Sequence, residues 1–66
     1  MNVTWSKPYY GIQHSNRVGL HRCTVIEYPS FTLLHKWYAG CQFNPIEEQY
    51  DSLMLAKSAA ESWLAK

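Results

Sequence analysis

Apolar residues follow two different periods along this chain, and the change between them separates its two kinds of structure. From Ser52 to Ala65, residues Leu53, Ala56, Ala60, Trp63 and Leu64 recur along one stripe, the spacing of an amphipathic helix that turns one side to a core. Asp51 or Ser52 is its N-cap, since either side chain accepts a hydrogen bond from an unpaired first-turn amide. A helix of this length spans about 21 Å, matching a strand of six or seven residues. The small side chains of Ala56, Ala59 and Ala60 let its axis approach a sheet closely.

Upstream the pattern is that of strands and turns. Val3 and Trp5 alternate before Pro8, which removes a ladder donor and marks a strand break or an edge. His14-Ser15-Asn16-Arg17 reads as a turn and Val18 to Tyr28 as a β-branched, aromatic strand. Tyr28-Pro29-Ser30-Phe31 reads as a β-turn with Pro at its second position, and Phe31 to Ala39 as the returning strand, ended by Gly40. The stretch from there to Asp51 reads as a loop through Asn44-Pro45, with Gln42-Phe43 as a short extension. The expected fold is α+β: a three-stranded antiparallel sheet packed against one C-terminal helix, in a single domain spanning residues 1–66.

An even-numbered loop at Pro29 sets the hairpin register. Ile26 then faces Leu33, Thr24 faces His35, Arg22 faces Trp37 and Leu20 faces Ala39 on one side. Glu27 with Thr32, Val25 with Leu34, Cys23 with Lys36 and His21 with Tyr38 form the other. A half-exposed sheet normally alternates between apolar-in and polar-out, and neither of these sides is purely polar. One helix covers one face. The second face must be met by the first segment, by a second copy of the chain, or by a partner. It carries Tyr28, Phe31, His35, Trp37 and Arg22, and aromatic and Arg side chains dominate interface hot spots; a simple cross-strand cation–π pair of Arg22 with Trp37 is the alternative reading of the same residues.

Composition narrows the class. The chain has 66 residues, 47% hydrophobic, 15% aromatic and 17% charged, which is globular rather than disordered. A domain of this size buries only about 60% of its unfolded surface. Six Lys and Arg against five Asp and Glu leave +1, a weak footprint for phosphate-based nucleic-acid binding. No run approaches the length of a membrane span, and Met1 to Pro8 lacks the basic start and apolar core of a leader. The expectation is therefore a cytoplasmic protein with no membrane partner. In a reducing compartment Cys23 and Cys41 are free thiols; export would allow a disulfide.

Candidate chemistry is sparse. His14, His21, Cys23, His35 and Cys41 are the available metal ligands, but only His21-x-Cys23 is closely paired, unlike the paired spacing of structural zinc sites. A Cys–His nucleophilic pair would lack an oxyanion hole, and a chain this short has little room for a substrate cavity. Gly11, Gly19 and Gly40 are isolated and form no phosphate loop. Glu47, Glu48 and Asp51 lie before the helix, where negative charge complements its N-terminus. Tyr9-Tyr10 beside Pro8 is either an exposed aromatic anchor or a filler for the open end of the core. The expected protein is not an enzyme and uses no cofactor.

The run from Tyr50 to Leu64, Tyr-Asp-Ser-Leu-Met-Leu-Ala-Lys-Ser-Ala-Ala-Glu-Ser-Trp-Leu, resembles the endings of very short phage and prophage proteins, in which such a helix follows two or three aromatic strands. That resemblance implies an accessory protein that binds and modulates or inhibits a host protein or protein complex, including anti-defence and anti-CRISPR types, in the host cytoplasm, as a monomer or a homodimer. The strands-then-helix order is also similar to the sheet-reading DNA modules of the AP2 and integrase-arm type, for which Arg17, Arg22 and Lys36 are the suitably placed cations. The expected binding residues are Arg22, Trp37, His35, Tyr28, Tyr9 and Tyr10.

Overall fold

The computed structural model describes residues 3–38 and 44–65. It is α+β, with four strands rather than three: β1 Ile12–His14, β2 Arg22–Glu27, β3 Thr32–Trp37 and β4 Ile46–Tyr50, followed by α1 Leu53–Leu64. The strands form one antiparallel sheet in the order β1-β2-β3-β4. The expected helix stripe and N-cap hold: Ser52 Oγ accepts from the Leu55 amide at 3.2 Å.

The β2–β3 hairpin has the register that the Pro29 turn predicts, from Arg22 opposite Trp37 to Glu27 opposite Thr32. Odd-numbered residues of β2 therefore share a face with even-numbered residues of β3. That face meets the helix: Cys23, Val25, Leu34, Ala56 and Ala60 are fully buried and Leu64 is 3% exposed. The two alanines allow the close approach. Trp63 flanks this core half-buried rather than at its centre, edge-on to His21 at 5.0 Å and beneath the Lys36 ammonium at 5.7 Å.

Three readings of the sequence need correction. Residues 46–50 form a strand, not a loop. Glu47 and Glu48 have low β-propensity, but pairing with β3 supplies what local preference does not. His14 lies in β1 rather than in a turn, because the chain turns earlier and again later. Tyr9 and Ile12 exchange backbone hydrogen bonds at 3.0 Å in both directions around Tyr10 and Gly11, whose φ values are 51° and 79°, the signature of a type I′ turn. Any Cβ at Gly11 would lie 2.8 Å from the Glu27 carbonyl oxygen, so only glycine fits. The long strand expected from Val18 begins only at Arg22, since Val18 and His21 close a second tight turn. The expected Leu20–Ala39 pair, the Gly40 terminator, the Gln42-Phe43 extension and Cys41 lie outside the described residues.

The first segment runs along the outer edge of β1. The Ser6 amide donates to the His14 carbonyl and the Asn16 amide to the Thr4 carbonyl. Trp5 projects to the helix side, where its indole N–H donates to Glu61 Oε2 at 3.0 Å and Lys57 stands 5.3 Å over its ring.

Candidate functional site: the uncovered sheet face

Alternation places the remaining strand residues on the face away from the helix. The pairing lines them up in rows across the sheet: Ile12, Ile26, Leu33 and Gln49 in one, His14, Thr24, His35 and Glu47 in the next. Arg22 and Trp37 follow at one end. At the other end Tyr28 and Phe31 stack at 4.9 Å and 27°, held by the Tyr28 amide donating to the Phe31 carbonyl.

The polar row is knit by side-chain hydrogen bonds. The Trp37 indole N–H donates to Thr24 Oγ1 at 3.2 Å, and His14 Nδ1 lies 2.9 Å from the same oxygen. Indole is a donor only. Thr24 therefore accepts from Trp37, and its hydroxyl meets His14 Nδ1 as donor or acceptor according to the imidazole tautomer. His35 Nε2 contacts Glu47 Oε2 at 2.9 Å, and its ring is edge-on to Trp37 at 6.3 Å. Thr24 is only 5% exposed although the helix is on the far side; its neighbours in and beside the row shield it.

Arg22 and Trp37 are directly opposite, as expected, but among the described residues they make no cation–π contact. The cation–π pairs lie on the helix side, Lys36 with Trp63 and Lys57 with Trp5. Arg22 is exposed and leaves its guanidinium available. The first segment does not close this face: Trp5 is on the opposite side, and Tyr10 is 87% exposed. Tyr9 and Tyr10 are not core fillers. They meet edge-on at 4.5 Å on the type I′ turn, at the same end of the sheet as Tyr28, since Gly11 hydrogen-bonds Glu27. Arg22, Trp37, His35 and Tyr28 thus share one face, with Tyr9 and Tyr10 at its rim.

Glu47 and Glu48 do not serve the helix terminus. Glu47 pairs with His35 on the open face and Glu48 with Lys36 on the helix side at 2.9 Å, with the Tyr50 hydroxyl donating to Glu48 at 2.6 Å. These bonds, that of Tyr50 first, hold the Glu48 carboxyl below its ordinary pKa, and the same bond raises that of Tyr50. The sequence carried a signal for this: His35-Lys36 and Glu47-Glu48 are complementary dipeptides at hairpin spacing.

The potential metal ligands are dispersed. Cys23 is a free, fully buried thiol in the core, its pKa pushed up to about 11 by burial. His14 and His35 are on the opposite face, and His21 packs on Trp63. Among the described residues no three of His, Cys, Asp and Glu gather as a metal set. No described helix is long and apolar enough to cross a bilayer. Comparison with protein-family models, curated proteins and solved structures finds no match to this chain.

Proposed function

We propose that this protein is a non-enzymatic binding module whose uncovered sheet face docks on another protein. The observation that carries the reading is the one-sided cover of the sheet among the described residues. A single helix fills one face, while the other presents Ile26, Leu33, Tyr28, Phe31 and Trp37 around a hydrogen-bonded polar row. Apolar contacts beside fixed polar groups give an interface both area and orientation. Arg22 and Tyr28, both exposed, are the outward anchors, and Trp37 is held in place by Thr24. The Tyr10 backbone supports the same role: positive φ is costly for an aromatic residue, and strain is kept where it displays a functional side chain.

Binding rather than catalysis is favoured by Cys23, whose buried, protonated thiol is a poor nucleophile. The formal charges on the open face are those of Arg22 and Glu47, which cancel, so a protein surface suits it better than a phosphate backbone. The resemblance of the Tyr50–Leu64 run to the endings of short phage and prophage proteins is what suggests a host protein as the target and an anti-defence or anti-CRISPR role in the host cytoplasm.

The test is capture of partners from host extract by the wild type, by Arg22→Glu and by Tyr28→Ala, with melts of all three. A protein captured by the wild type and lost from both variants at unchanged melting temperature supports the reading; equal capture by all three refutes it. A mobility shift of duplex DNA by the wild type that collapses with salt would favour the sheet-reading DNA alternative.

A further inference from the structure

The two edges of the sheet are treated differently. Thr4 to Ser6 cover the outer edge of β1, whereas among the described residues nothing pairs with the outer edge of β4. Hydrogen-bonding direction alternates along an antiparallel strand. Ser15 with Cys23 and Gly11 with Glu27 are bonded pairs, so odd residues of β2 bond to β1 and even ones to β3. It follows that Leu33, His35 and Trp37 bond to β2, and Thr32, Leu34 and Lys36 bond to β4 through Tyr50, Glu48 and Ile46. Glu47 and Gln49 are left with their amides and carbonyls pointing away from the sheet. That is a template for one more strand.

The charge on β4 selects the occupant. Ile46 to Asp51 carries three carboxylates and no cation. A second copy pairing antiparallel through Glu47 and Gln49 has three symmetric registers. They place Glu48 against Glu48, Glu47 against Glu47, or Glu47 against Asp51, and like charges directly opposite are destabilising. Acidic edges also discourage indiscriminate strand pairing. The Glu47 side chain remains 59% exposed despite its bond to His35, and so is open to a cation beyond the edge.

We infer that β4 accepts an extended basic segment of a partner protein as a fifth, antiparallel strand. The residue opposite Gln49 prolongs the apolar row of Ile12, Ile26 and Leu33, and the residue opposite Glu47 is Lys or Arg, ending the polar row. The intervening residue, opposite Glu48, falls on the helix side beside a second carboxylate. Read from the partner's N-terminus, the recognised pattern is apolar, basic, basic. The inference rests on the reading of this chain as a protein-binding module and specifies how the partner is engaged.

The probe is the peptide acetyl-Thr-Val-Lys-Lys-Val-amide, titrated to millimolar concentration into the 15N-labelled full chain, with acetyl-Thr-Val-Glu-Glu-Val-amide as its counterpart. Expected are shifts and at least tenfold slower exchange of the Glu47 and Gln49 amides with the Lys peptide alone, weakened by salt. Gln49→Pro removes an outward amide that the fold does not use, and should abolish binding at an unchanged melt. Glu47→Lys should reverse the preference between peptides. Absence of protection at Glu47 and Gln49, equal response to both peptides, or a dimer of the free chain dissociated by Gln49→Pro overturns the inference. Shifts confined to the open face would overturn the edge site while leaving the docking face standing; loss of partner capture by Gln49→Pro but not by Arg22→Glu would do the reverse.

Discussion

Leu33 and Leu34 are adjacent leucines whose truncation should have very different consequences. Leu34 is fully buried between Val25 and the helix residues Ala56 and Ala60. Leu34→Ala leaves a cavity that the flanking strands cannot close, and the usual cost is about 2–5 kcal/mol, comparable with the whole stability of a domain this small. Leu33 is half-buried on the uncovered face, where solvent fills the vacated space without a cavity. At about 25 cal/mol per Å² over a few tens of Å² of partly covered surface, Leu33→Ala should cost about 1 kcal/mol. Urea unfolding followed by tryptophan fluorescence gives both values. The predicted outcome is a Leu33→Ala midpoint close to wild type and a Leu34→Ala protein largely unfolded without denaturant. Equal losses at both sites would mean the second face is covered, and would remove the basis for a docking surface.

Other outcomes follow from neighbouring features. Trp63→Ala should cost about 3 kcal/mol, the low end for a large aromatic because one side is exposed, read by the same unfolding curve. Cys23→Ser puts a hydroxyl in an apolar core and should cost about 1–3 kcal/mol; Cys23 itself should resist a thiol reagent at pH 8 until the protein unfolds. Because the Cys23 thiol is held neutral, its contribution is complete below the ordinary thiol value of 9.0 and is lost as pH rises toward about 11; alkaline melts of wild type and Cys23→Ala should converge across that window. Glu48 has the opposite sign. Its lowered pKa stabilises the fold above the ordinary value of 4.5, and the advantage of wild type over Glu48→Gln should vanish as pH falls below it. Tyr10→Asn, which suits the first central position of a type I′ turn, should raise stability by about 0.5–1 kcal/mol yet weaken partner capture.

The parts of the fold legible from sequence were those governed by local, two-valued choices. Pro29 between two β-rich runs admits few loops, and an even loop determines every pair from Arg22–Trp37 to Glu27–Thr32 together with the face each residue occupies. The apolar stripe from Leu53 to Leu64 and the Ser52 cap are local in the same sense. What was not legible depended on partners distant in sequence. Glu47-Glu48-Gln49 become strand residues because Lys36 and His35 meet them, and charge complementarity across a hairpin is weaker evidence than a run of β-branched side chains. His14, in a polar run typical of turns, is a strand residue because Tyr10 and Gly11 had already turned the chain. Thr24 was invisible as the centre of the polar row, since nothing in its own neighbourhood foretells that Trp37 and His14 converge on its hydroxyl.

The bond from Trp5 to Glu61 spans 56 residues, whereas every strand of the sheet pairs with its immediate predecessor. A meander can be laid down strand by strand, with short loops closed at each step. The Trp5 contact cannot form until the helix has docked, so we expect it to form late in assembly. Interactions added after the folding barrier govern how fast a protein comes apart rather than how fast it forms. Trp5 should therefore act as a latch on the finished domain: Trp5→Phe, which keeps a ring for Lys57 but has no indole N–H for Glu61, should speed unfolding while leaving the folding rate unchanged.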